Sequence, residues 1–124
     1  MIRVLFNLLV LALFATACSS LPDKEGEDES SCDTPEEVSY AEHIVPVLEA
    51  NCYKCHNDED YASKADGNKM EGYENIKALV DEGLVYGNIA HKPGFINMPY
   101  QETKIDECDI DLIKSWIDEG APDN

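Results

Sequence analysis

The segment Cys52-Tyr53-Lys54-Cys55-His56 decides how the rest of the chain is interpreted. Its C-x-x-C-H spacing is typical of c-type haem attachment, because two thiols about one turn apart can add to the two vinyl groups of a haem and form thioethers. The adjacent imidazole then lies under the iron. The motif therefore predicts one haem c per chain, attached covalently through Cys52 and Cys55 and ligated by His56.

Three other uses of this motif compete with haem attachment. A thioredoxin-like redox disulfide needs a βαβ context, and the sequence shows no strand-like alternation of any length. A zinc site needs further ligands, and no second C-x-x-C or H-x₃-H pair is present. A structural disulfide leaves His56 without a role. Haem attachment is favoured because it accounts for all three residues.

A haem iron held by one histidine needs a ligand at its sixth position. Met98, followed by Pro99, is one candidate, since a thioether is soft and neutral and favours ferrous iron. His91, seven residues earlier, is the other and would give a lower reduction potential. His43 precedes the motif too closely to reach the opposite face, and Met70 is expected to pack as an apolar residue. Spacing alone leaves both Met98 and His91 open.

The N-terminal region has the features of an export signal. Arg3 is followed by an apolar stretch from Val4 to Phe14, and Ala15-Thr16-Ala17 forms a small-x-small cleavage pattern. We expect a signal peptide over residues 1–17, with a retained membrane anchor as the alternative. Cys18 follows directly, and the segment 15–18 resembles a bacterial lipobox. This predicts an exported protein, periplasmic or an outer-membrane lipoprotein, anchored to the membrane by lipid on Cys18; ordinary secretion is the alternative.

Charge divides the remaining chain into a tether and a domain. Residues 18–38 are rich in charge and poor in large apolar side chains, so we expect an acidic flexible tether there and a folded domain over residues 39–124. After removal of residues 1–17, 8 lysines face 26 acidic residues, a formal charge of −18. Such a surface repels nucleic acid and attracts a redox partner with a basic docking surface.

The domain is predicted to be all-α. Three stretches show helical spacing of apolar side chains, and they cover residues 39–51, 73–82 and 107–119. Ser39 and Glu42 form a capping box, and Pro46 is expected to bend the first helix or to mark its true beginning. An irregular loop is expected between the second and third helices, from about residue 85 to residue 103.

The order of these elements resembles small class I-type bacterial monohaem cytochromes c, including lipoprotein-like, planctomycete-type domains. The resemblance covers about residues 39–122. The matching segments are Ile44-Val45-Pro46-Val47-Leu48, Cys52 to His56, Tyr73 to Ile76, Leu84 to Ile89, Met98-Pro99 and Ile113 to Ala121. It implies a small cytochrome c fold, with about three main helices around one covalently bound haem, and Met98 as the distal ligand. The segment 94–97 departs from the family, whose residues are smaller and more polar there.

Under this interpretation, lipid takes Cys18 and haem takes Cys52 and Cys55. Cys32 and Cys108 are left over, and they either form a disulfide between the ends of two helices or stay as two unpaired buried thiols. The chain is expected to be a monomeric single-electron carrier and not an enzyme, since no acid–base or nucleophile constellation is present. A haem-based ligand sensor and an accessory domain of a larger redox complex are the alternatives.

Overall fold

The computed structural model describes residues 32–124. The predictions for the signal peptide, for Cys18 and for residues 18–31 of the tether lie outside the described residues. The helices are a π-helical segment Tyr40–Ile44, α1 Val45–Asn51, α2 Tyr53–His56, α3 Tyr61–Lys64, α4 Tyr73–Asp81, α5 Leu84–Ile89 and α6 Glu107–Asp118. Residues 32–124 contain no strand, so the all-α prediction is confirmed for this part. Across the same span, no helix has the length and apolar character needed to cross a membrane.

The first helix begins at Ser39, as its capping residues predict. The Ser39 hydroxyl oxygen accepts the Glu42 backbone N–H at 3.2 Å. The reciprocal bond differs from a capping box, because the Ser39 backbone N–H donates to Nδ1 of His43 at 2.9 Å. Pro46 lies in the first turn of α1, where a proline is tolerated. The chain before it is π-helical, so Pro46 marks the beginning of the regular α-helix.

The prediction of an irregular loop from about residue 85 to residue 103 is wrong at the start of this range, where the helix α5 forms. Gly83 adopts a left-handed conformation at φ 74°, which ends α4 and redirects the chain within two residues. Val85 and Ile89 lie one turn apart on α5 and are 3% and 4% exposed. The burial of this pair stabilises a helix too short to be evident from periodicity. The short helices α2 and α3 are also absent from the sequence prediction.

The core is built around Trp116 of α6. The largest fully buried side chains are Trp116, Ile44, Leu48, Ile76, Ile113 and Val38. Tyr40 stacks on the Trp116 ring with centroids 5.6 Å apart and meets Tyr73 edge-on at 5.3 Å. The Trp116 indole N–H donates to the Pro122 carbonyl at 3.0 Å. The π-helical segment and α6 are thereby packed together, and the site described below lies beside them.

Residues 32–38, which the sequence analysis places in the tether, are joined to this core. Cys32 and Cys108 form a disulfide, and their Cα atoms are 5.2 Å apart. The sequence analysis left this pairing open. Val38 is fully buried, and its backbone N–H donates to the Glu119 carboxylate at 3.1 Å. The packed unit therefore includes these seven residues, because the disulfide and one apolar side chain attach them.

Loss of the disulfide should lower thermal stability. The bridge joins residues 76 positions apart, and the chain-entropy model gives a loop of that length on the order of 4 kcal/mol. We expect reduction with dithiothreitol to lower the melting temperature of the wild type. A variant with Cys32→Ser and Cys108→Ser should melt at the lower temperature without reductant and should not respond to it. Equal melting temperatures for the two proteins without reductant would contradict the bridge.

Candidate functional site

A cavity of about 460 Å³ collects the residues singled out from the sequence. This volume lies within the roughly 300–1,000 Å³ of small-molecule and cofactor sites. Cys52, Cys55, His56 and Met98 all line it. The rest of the wall is largely apolar and includes Met70, Leu79, Leu84, Val85, Ile89 and Ile105. Two thiols, an imidazole and a thioether therefore share one apolar cavity.

The turn of α2 places both cysteines and His56 on the same side. The backbone N–H groups of Cys55 and His56 both donate to the Cys52 carbonyl, at 3.1 and 3.0 Å. This holds the three residues within one helical turn at the end of α1. Neither Cys52 nor Cys55 belongs to a disulfide. Both thiols are thus presented to the cavity one turn apart.

His56 is oriented by a hydrogen bond on its outer nitrogen. Its Nδ1 lies 2.6 Å from the Asn68 carbonyl oxygen. A carbonyl oxygen only accepts, so Nδ1 must carry the proton and donate it. With the Nδ1 proton engaged in this way, Nε2 is the ring nitrogen left to bind a metal. Histidines that ligate metals commonly donate their other ring N–H to a backbone carbonyl, which fixes the tautomer and the ring direction.

The second half of this site comes from the segment after α5. Met98 is half-buried and lines the cavity, whereas His91, also in the described part, does not line it. The Nε2 atom of His91 lies 2.9 Å from the Met98 carbonyl oxygen instead. Of the two sequence candidates for the sixth ligand, only Met98 is placed with the C-x-x-C-H motif.

No family model, no curated protein and no solved structure matches this chain. Burial raises the pKa of the Cys52 thiol to about 11, which Lys54 offsets only in part. Thiols that exchange disulfides have lowered pKa values, so Cys52 is unlike the nucleophile of a redox disulfide. Within residues 32–124, no group of three or more His, Cys, Asp or Glu side chains is arranged at metal-binding distances.

The segment carrying Met98 is fastened to α5 by contacts that the sequence did not reveal. The Met98 backbone N–H donates to the Asn88 carbonyl and the Ile96 N–H to the Asn88 side-chain oxygen, both at 3.1 Å. The Phe95 ring lies directly on Gly87, where an added Cβ would come within 2.2 Å of it. The Phe95 ring can pack at this position because Gly87 has no side chain beneath it.

Most lysines of the described region are engaged in ion pairs with carboxylates. Six lysines of the described region each bind one carboxylate, in the pairs Lys54–Glu102, Lys64–Asp60, Lys69–Asp58, Lys77–Asp81, Lys104–Glu107 and Lys114–Asp118. The seventh, Lys92, lies 4.0 Å from the centroid of the Tyr86 ring. Lys64 and Glu102 border the cavity, and no sequence pattern marked them. The chain as a whole stays strongly negative, with a formal charge of −17.

Proposed function

We propose that this protein is an exported c-type cytochrome that binds one haem c and transfers single electrons. The observation that carries the proposal is the convergence of Cys52, Cys55, His56 and Met98 on one apolar cavity. Bound haem would supply reversible one-electron cycling between ferrous and ferric iron. The polypeptide then has to hold the group, exclude water from it and set its potential.

Each residue of the site has a defined task in this proposal. Cys52 and Cys55 would add to the vinyl groups and hold the porphyrin by two thioethers. His56 would ligate iron through Nε2, because its Nδ1 is engaged by the Asn68 carbonyl. Met98 would hold the iron through a neutral thioether, which favours the ferrous state. With both His56 and Met98 holding the iron, the protein would leave no position for a substrate, as a carrier requires.

The apolar wall of the cavity supports the same assignment. Side chains such as Leu79, Leu84 and Ile105 line it and offer no hydrogen bonds to water. A dry environment disfavours the extra positive charge of ferric iron, so it raises the reduction potential. Met70 is 8% exposed and belongs to this wall. Its expected role as a packing residue fits this position.

The surface near the cavity suggests where electrons enter and leave. The exposed large apolar side chains of the described region are Phe95, Ile96 and Tyr100, and all three line the cavity. The chain as a whole is acidic, with a formal charge of −17. A redox partner with a basic docking surface is therefore favoured, and nucleic acid and self-association are not. Lipid on Cys18 would hold this monomer at the membrane, in the periplasm or on the outer membrane.

Electron transfer with two small oxidants of opposite charge tests this function. The reduced protein should be oxidised by cationic tris(phenanthroline)cobalt(III) at a rate that falls as ionic strength rises from about 0.01 to about 0.1 M, which shortens the Debye length from about 30 to about 10 Å. With anionic hexacyanoferrate(III) the rate should rise instead. Electrostatic attraction or repulsion between the protein and the oxidant is expected to change these rates by roughly tenfold, measured by stopped-flow absorbance. An absence of one-electron oxidation by either reagent would contradict a carrier.

A further inference from the structure

We infer that His91 is a positioning residue, and that it holds Met98 in place through the Met98 backbone. This inference rests on the proposed function, since it concerns the proposed distal ligand. It gives His91 a task other than the iron ligation that the sequence left open. The two roles predict different spectra when His91 is changed.

Both backbone groups of Met98 are fixed by hydrogen bonds. The Met98 N–H donates to the Asn88 carbonyl at 3.1 Å, and the Met98 carbonyl lies 2.9 Å from Nε2 of His91. Because that carbonyl can only accept, Nε2 of His91 must be the donor. A residue bonded on both sides has little freedom to rotate about its backbone. The two bonds thereby fix the backbone from which the Met98 side chain enters the cavity.

The position of His91 in the chain makes it suited to this task. It follows α5 and has φ 53°, a left-handed conformation that turns the chain back over the helix. Its own N–H donates to the Asn88 carbonyl at 3.2 Å, so its backbone and that of Met98 meet at one acceptor. The half-buried His91 ring therefore joins the beginning of the loop to its end at Met98.

The other contacts of this loop are made before Met98, including the bond from the Lys92 N–H to the Gly87 carbonyl at 3.0 Å. Residues 92–97 are all exposed, and Met98 is the first half-buried residue after them. Phe95 on Gly87 and the bond from Ile96 to Asn88 hold its middle. The His91 bond is the contact made to the Met98 carbonyl itself. Its removal should let the end of the loop move while the helices stay folded.

The test compares three variants in the haem-loaded protein. His91→Gly removes the ring, and glycine adopts a positive φ without strain, so the backbone turn is kept. His91→Gln restores a donor of similar reach. His43→Ala is the matched control, because His43 is also hydrogen-bonded to a backbone group, accepting the Ser39 N–H, but lies at the beginning of the first helix. The readouts are the weak far-red absorption of Met-ligated ferric haem and the rate at which carbon monoxide binds the ferrous protein.

His91→Gly should shift the equilibrium of Met ligation by roughly fivefold toward the detached state, as loss of one neutral hydrogen bond implies. The far-red band should weaken and carbon monoxide should bind faster, whereas His91→Gln and His43→Ala should resemble the wild type. Unchanged spectra and carbon monoxide kinetics in His91→Gly would overturn the inference. Loss of six-coordination in His91→Gly, with none in Met98→Ala, would overturn it by making His91 the ligand. A wild type without the far-red band would refute Met98 ligation itself and this inference with it.

Discussion

Replacement of Cys52 and Cys55 together by serine is expected to abolish covalent haem. Produced in an exporting host that attaches haem c, the wild type should keep its colour through extraction with acidic acetone. The variant should lose all of it, because serine hydroxyls form no thioethers with the vinyl groups. His56 and Met98 are unchanged in the variant, so any haem it holds is bound by ligation alone.

The matched control is the other pair of cysteines. Cys32→Ser with Cys108→Ser removes a disulfide that ties the N-terminal segment to α6, and neither residue lines the cavity. That variant should be less stable but should retain acetone-resistant haem. Equal retention of haem by both double variants would show that Cys52 and Cys55 are not the attachment points. Equal loss would point to a general folding defect.

Replacement of Met98 by alanine should produce the second largest effect. The half-buried thioether would be removed from the cavity, leaving iron with His56 as its single strong ligand from the protein. The far-red band of the ferric form should vanish, and the ferrous form should bind carbon monoxide rapidly. The reduction potential should fall, by a part of the roughly 0.8 V that axial ligands span. Optical spectra and redox titration measure these changes.

Met70→Ala is the control for a cavity methionine. Met70 also lines the cavity but packs in the buried core, so its truncation should cost about 2–5 kcal/mol of stability and leave the far-red band in place. The same experiment separates a carrier from a ligand sensor. Rapid carbon monoxide binding by the wild type, equal to that of Met98→Ala, would favour the sensor and contradict fixed ligation by Met98.

The long helices were predictable because they carry strong local signals. Asp106 caps α6 by accepting the Cys108 N–H, and the buried Ile110, Ile113 and Trp116 follow at helical spacing. The helix α5 was not predictable. Its six residues include Gly87, and its stability comes from burial of Val85 and Ile89 and from contact with Phe95, which are tertiary effects. The capping box was predicted only in part, because the Ser39 backbone N–H donates to His43 and not to the Glu42 side chain.

The site was predictable as far as its residue types and spacing allow. The C-x-x-C-H motif is local, so the placement of Cys52, Cys55 and His56 in one turn follows from a short helix. The choice between Met98 and His91 depends on how a loop folds back on α5, which spacing does not encode. The Asn68 carbonyl that orients His56 is a backbone group 12 residues away, and no side-chain pattern marks it.

Intact mass spectrometry of the denatured wild-type protein tests the central claim most directly. Produced in a host that attaches haem c, the chain should be heavier than its polypeptide by one haem, and Cys52 and Cys55 should resist alkylation. A mass equal to that of the bare polypeptide, with both thiols alkylated, would contradict the covalent haem and the function proposed from it.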